Sequence, residues 1–184
     1  MKAARSWGAL ACGFYAVHAG IHLARGHPEE LLWACHLGAL WVGIGLLLRQ
    51  PALHAIGFLW LCVGTVLWGI GLAGGSEFVP TSLLTHVGGL FVGGLAVWTL
   101  GMPRHSWWRA LLAFLVLQQT CRWLTPAAAN LNLAHAVWPG WETLFPSYLG
   151  YQVILLCIAG ASFALIESLT RRFTAPSAGL GADA

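Results

Sequence analysis

The sequence predicts an all-α fold: a polytopic membrane protein folded as one six-helix transmembrane bundle, with both termini cytoplasmic. Three observations carry that prediction. Of the 184 residues, 58% are hydrophobic and only 8% are charged, whereas a soluble domain keeps roughly a quarter of its residues charged. Six apolar runs, each of about 18 residues or more, have the length a helix needs to cross a bilayer. Basic residues also collect in alternate connections, as cytoplasmic loops require. The connections are short apart from one, so residues 1–173 form a single domain.

The first helix is expected over residues 6–25. Its basic start resembles a signal peptide, but it lacks a small-x-small cleavage site and carries His18 and His22 in its second half, so it is read as retained. The "ALAC" before Gly13 has too short an apolar run ahead of Cys12 to be a lipoprotein site. The second helix, 31–48, reads "LLWACHLGALWVGIGLLL", with Gly38, Gly43 and Gly45 as small packing residues. In the third, 52–73, Gly57, Gly64 and Gly71 recur every seven residues on one stripe. In lipid, close approach through such residues holds helices together.

The fourth helix, 82–101, pairs Gly89 with Gly93 and sets Gly88 and Gly94 beside them. Ser82, His86, Gly89 and Gly93 follow i, i+4, i+7, i+11 spacing, so His86 shares the packing face and points into the bundle. The fifth helix, 107–124, ends in Gln118, Gln119 and Arg122. A long irregular connection follows, with Asn130, Asn132, His135, Trp138, Pro139, Gly140 and Trp141 before Tyr148. It is expected to anchor at the headgroup level and to fold back as a lid. The sixth helix spans 149–169, and residues 174–184 are read as a flexible cytoplasmic tail.

Orientation follows from charge. Lys2, Arg5, Arg49, Arg104, Arg109, Arg171 and Arg172 fall on the side of the N-terminus, while the other side holds Arg25 and Arg122 with Glu29, Glu30, Glu77 and Glu142. A multi-pass protein of the cell membrane, most simply a bacterial inner membrane, is expected, with membrane lipid as its surroundings and a membrane-protein partner or a second copy as possible company. The net charge of +3 comes from loop residues rather than a basic face, which excludes nucleic-acid binding. Five cysteines without a CxxC pair argue against a disulfide framework.

Polar residues are expensive inside a membrane and are turned inward and paired. Here His18, His22, His36 and His86 fall at similar depth in the extracytoplasmic half, together with Gln118 and Arg122. Asn130, Asn132 and His135 lie just beyond them. This pattern predicts a His-rich polar cavity opening outward, in which His36, His86 and Arg122 converge.

Three chemistries suit such a cavity. The His18xxxHis22 spacing stacks two imidazoles on one helix face, and His36 or His86 completes a metal set or a bis-His haem site. Alternatively, Cys35 on helix two is a nucleophile with His86 of helix four as base and His36 in the same catalytic site. Adjacent Cys35 and His36 point about 100° apart and are not themselves a dyad. Gln118, Arg122, Asn130 and Asn132 then supply oxyanion donors, and no cofactor is required. A third reading is a non-catalytic transporter or assembly subunit. No Asp or Glu lies within a helix interior, so a carboxylate-bridged di-metal centre is not available.

The motifs "ACHL", "LTHVGG" and "NLNLAHAVWPGWETLFPSY" together resemble small bacterial integral-membrane proteins of the YwaF type and their acyltransferase relatives. That family carries a His-Leu-Cys motif, a Ser-His on a later helix and an Asn-x-Asn-Tyr segment before the last helix. The resemblance implies acyl transfer or hydrolysis on a lipid ester, with Cys35 as nucleophile, His86 as base and Asn130 and Asn132 in the site. Cys and His stand in swapped order here, Leu133 replaces the tyrosine, and one helix fewer is present.

Overall fold

A computed structural model describes residues 2–174 and, among them, contains six α-helices and no strand. They are α1 (Lys2–Ala24), α2 (Ala34–Leu48), α3 (Pro51–Ala73), α4 (Gly89–Leu100), α5 (Ser106–Leu124) and α6 (Tyr148–Thr174). Each of the six predicted runs is helical, and the differences lie at their edges. Thr174 closes α6, and the rest of the expected tail lies outside the described residues.

Two edges differ for a physical reason. The second helix begins at Ala34 rather than 31, because Pro28–Leu32 form a separate 3₁₀ turn and Trp33 (ψ 132°) is extended. The fourth opens with a π-helical turn, Leu84–Gly88, that runs directly into α4. A π turn inserts one extra residue into the helical ladder and is often found where a side chain must be re-aimed. His86 sits inside it.

Two helices, α3 and α6, are long and apolar enough to cross a membrane, while α2 and the stretch Leu84–Leu100 are apolar but shorter. Composition explains the remaining two. Helix α1 carries Arg5, His18 and His22, and α5 carries Arg109, Gln118, Gln119 and Arg122.

The glycines pull the first four helices together. A Cβ on Gly57 would lie 2.4 Å from the Gly38 carbonyl oxygen, and one on Gly45 would lie 2.4 Å from the His54 amide nitrogen, so α2 and α3 touch backbone to backbone. Gly43 receives Cys12 of α1 in the same way, and Gly89 and Gly93 of α4 rest on Ala39, Leu61, Val42 and Phe58. Gly71, expected to join the α3 stripe, meets only Ser76. It lies beyond the region where α2 covers α3.

Polar ties close both ends of the bundle. At the first end, the Glu167 carboxylate accepts hydrogen bonds from the His105 and Trp107 amides, each at 2.8 Å, and so satisfies the free N–H groups that open α5. This glutamate is 6% exposed and lies inside α6, a buried acid that the sequence reading assigned to a helix end. At the second end, Arg25 pairs with Glu77 at 2.8 Å, joining the close of α1 to the connection after α3.

Candidate metal centre

Helical spacing puts His18 and His22 one turn apart on the same face of α1, with their Nε2 atoms 3.2 Å from each other. The first turns of α2 bring His36 against them, its Nε2 3.1 Å from that of His18. From the π turn His86 completes the group, its ring centroid 5.5 Å from that of His36. All four are buried, His18 and His86 at 1% exposure. The indole of Trp68 covers the outer face of His86, stacked at 4.6 Å and 16°.

The second nitrogen of each of three rings is tied down. His36 Nδ1 donates to the Glu30 carbonyl oxygen at 2.9 Å, and His86 Nδ1 donates to the Ser82 carbonyl oxygen at 2.9 Å. The hydroxyl of Thr81 lies 2.8 Å from His18 Nδ1. Metal-ligating histidines are oriented by such partners, which fix the tautomer and leave the other nitrogen for the ion.

A carbonyl accepts only from an N–H, so the proton of neutral His36 sits on Nδ1 and its Nε2 presents a lone pair. His18 Nε2 faces that lone pair on one side and His22 Nε2 on the other. One proton cannot lie along both contacts. A cation among the three nitrogens satisfies them all. Metal–nitrogen bonds of about 2.0–2.1 Å in tetrahedral array put ligand atoms roughly 3.3 Å apart, close to the two separations found here. His86 Nε2 is also buried with no hydrogen-bond partner.

A haem does not fit between these rings. Two axial imidazoles must stand on opposite faces of a macrocycle, whereas here the rings touch, with centroids 4.3 Å apart for His18 and His36. A small ion fits; a porphyrin does not.

The other expected site residues form a separate group beneath the long connection. Asn132 bridges to α2: its Oδ1 accepts from the Ala34 amide at 2.9 Å, and its Nδ2 donates to the Leu32 carbonyl at 2.8 Å and to Cys121 Sγ at 3.2 Å. Gln118 donates to the Asn132 carbonyl at 3.0 Å. Asn130 closes its own turn, accepting from the His135 and Ala136 amides and donating to the Ala136 carbonyl. The side chain of His135 is half-buried, with Nε2 unpartnered.

Arg122 is exposed, donates to the Ala134 carbonyl and lies over the Tyr148 ring. The expectation that His36, His86 and Arg122 share one pocket is therefore corrected. His36 and His86 meet, while Arg122 is committed to the connection. Four donors expected to form an oxyanion hole are likewise engaged: Gln118, Arg122, Asn130 and Asn132 bond main-chain carbonyls. Cys35 does approach the histidines, its sulfur and one ligand atom each of His36 and His86 lying within 4.8 Å of one another.

Sequence reasoning missed Thr81 and Trp68. Thr81 carried a readable signal, since it directly follows Pro80 at the start of the helix that carries His86. Trp68 carried none, since a tryptophan near a helix end is common at a membrane interface. Outside the predicted spans, the Glu29 carboxyl is held below its usual value chiefly by its own backbone N–H, with His27 adding to the effect. An ionised acid therefore stands near the open end of α1. No protein-family profile, curated protein or solved structure matches this chain.

Proposed function

We propose that this protein is a multi-pass membrane protein that binds one transition-metal ion at the extracytoplasmic end of a six-helix bundle. His18, His22 and His36 are the ligands, and His86 stands beside them. The membrane part of this reading is supported by composition and by the apolar surface left uncovered. Only 22% of the most apolar stretch of α6 is buried, and Leu149 and Phe173 at its two ends are 74% and 73% exposed. Contiguous apolar surface of that extent belongs against lipid or a partner. Arg5, Arg49, Arg104, Arg171 and Arg172 gather at the first end, a basic excess that supports a cytoplasmic placement of that end, with the histidines outside.

One observation carries the metal reading. Three imidazole Nε2 atoms from two helices converge in a buried site while hydrogen bonds hold the Nδ1 atoms of His18 and His36. Imidazole suits zinc, copper, iron and nickel. The test is elemental analysis of protein purified in detergent. About one metal ion per chain is expected, falling to background in His18→Ala and His36→Ala and persisting in His135→Ala. Metal-free wild-type protein that binds none of these ions on addition would sink the reading.

The proximity of Cys35 to His86 favours a second reading, acyl transfer or hydrolysis on a lipid ester, with Cys35 as nucleophile and His86 as base. It predicts covalent labelling of Cys35 by a lipid-like electrophile in metal-free protein. Loss of that labelling in His86→Ala is the result to look for. Engagement of the four oxyanion donors makes it the weaker of the two.

A further inference from the structure

We infer that the ion is monovalent copper and that the bundle offers it two adjoining ligand sets sharing His36. The first set is His18, His22 and His36; the second is Cys35, His36 and His86. This rests on the three-histidine reading above and deepens it.

Charge decides the ion. Neither ligand set contains a carboxylate; Glu29 and Glu30 stand within electrostatic reach of His22 as neighbours rather than as ligands. Glu30 accepts from the Trp33 indole N–H, Glu29 pairs with His27 at 3.3 Å, and Glu77 pairs with Arg25 at 2.8 Å. Glu167 caps α5 at the opposite end, and Glu142 is exposed in the long connection. A divalent ion on three neutral imidazoles carries two charges that the ligands themselves do not offset. The cost of burying charge grows as its square, so it is roughly fourfold greater for a divalent than a monovalent ion of similar size. With Cys35 as thiolate, a monovalent ion leaves no net charge at all. Thiolate and imidazole ligands suit both zinc and monovalent copper, and the smaller charge favours copper.

Geometry supplies the second set. Gly64 of α3 has no side chain where Cys35 approaches: a Cβ there would lie 2.6 Å from that of Cys35. The absence lets α2 set the thiol beside the histidines. From the other side the π turn presents His86, whose Nε2 is buried, unpartnered and free to bind. Because His36 Nδ1 is held by Glu30, that ring has one nitrogen to give, and the two sets are filled in turn rather than together. Moving from the first set to the second, the ion exchanges its bonds to His18 and His22 for bonds to Cys35 and His86 and keeps His36. The Cys35 S–H bond breaks as the copper–sulfur bond forms, the proton leaves to water at the outer end, and copper stays monovalent throughout. Such a pair of stations suits a protein that passes copper on.

The experiment loads full-length, detergent-purified protein without oxygen with monovalent copper or with zinc. Excess metal is removed, then the metal is counted and its X-ray absorption fine structure recorded. Expected for wild type are about one copper per chain, sulfur in the first shell, and retention of copper against an equal concentration of zinc. Cys35→Ser, a near-isosteric change, is expected to keep about one copper with a nitrogen-only shell, while Cys62→Ser keeps the sulfur. A nitrogen-only shell in wild type, or sulfur that survives Cys35→Ser, overturns the second set and leaves the three-histidine centre standing. Zinc bound in preference to copper overturns the monovalent assignment alone. Failure to bind either ion overturns the centre itself.

Discussion

Asn132 ties three parts of the molecule together through one amide. Its side chain joins the Ala34 amide, the Leu32 carbonyl and Cys121 Sγ, and its own carbonyl accepts from Gln118. The backbone there is left-handed at Asn130 (φ 40°), Asn132 (φ 52°) and Leu133 (φ 59°), a conformation asparagine tolerates better than leucine. Hydrogen bonds hold it in place, because the Leu133 carbonyl also accepts from Tyr148 at 3.1 Å and Gln152 at 2.9 Å. Asn132→Ala strands buried partners and is expected to cost about 1–3 kcal/mol of stability, read as a lower Tm in detergent. Metal content per folded chain is expected to hold. If the variant kept its Tm but lost the metal, Asn132 would belong to the metal centre rather than to the scaffold. At this scale the sequence named the histidines by their depth and facing. The partners of their second nitrogens were hidden, because two are main-chain carbonyls that carry no residue signature.

Among the elements, the α2–α3 pair is the most exacting. Gly57→Ala drives a Cβ to within 2.4 Å of the Gly38 carbonyl oxygen, where rigid backbone cannot yield. It is expected to destabilise by about 1–3 kcal/mol. Gly69 on the same helix faces open space, so Gly69→Ala is expected to leave Tm unchanged or raised. Equal losses in the two variants would mean that the glycines act through helix flexibility, not contact. Packing faces were legible because small residues at fixed spacing carry the signal directly. The π turn was not, since Leu84–Gly88 has ordinary helical composition and the widening arises from what surrounds it. One such tie is Thr65, whose hydroxyl donates to the His86 carbonyl at 3.4 Å. The late start of α2 was half legible: Pro28 marks a turn, while the break at Trp33 depends on a tertiary bond to Asn132.

For the whole molecule, the proposed topology makes a direct prediction. In a chain stripped of its native cysteines, a cysteine placed at Glu142 is expected to react with an impermeant maleimide on intact cells. One at Arg104 should react only after the membrane is opened. The reverse pattern would put the histidines on the cytoplasmic face. Six helical runs could be read from hydropathy, yet only α3 and α6 combine length with apolarity. The others are shortened by turns or carry polar groups, the histidines of the centre in α1 and the residues beneath the long connection in α5. That is a physical cost of assembling a polar site from helices of this length.

The Asn132 bridge spans nearly a hundred positions, and this has a consequence for biogenesis. All four histidines and Cys35 are synthesised by residue 86, and the chain has completed α4 at Leu100. The segment that clasps α2 emerges only with residues 130–135. During N-to-C-terminal insertion, the residues of the metal cup are therefore all made before the segment that clasps α2. The ligands of the centre come together on the first four helices, ahead of the bridge that fixes the start of α2.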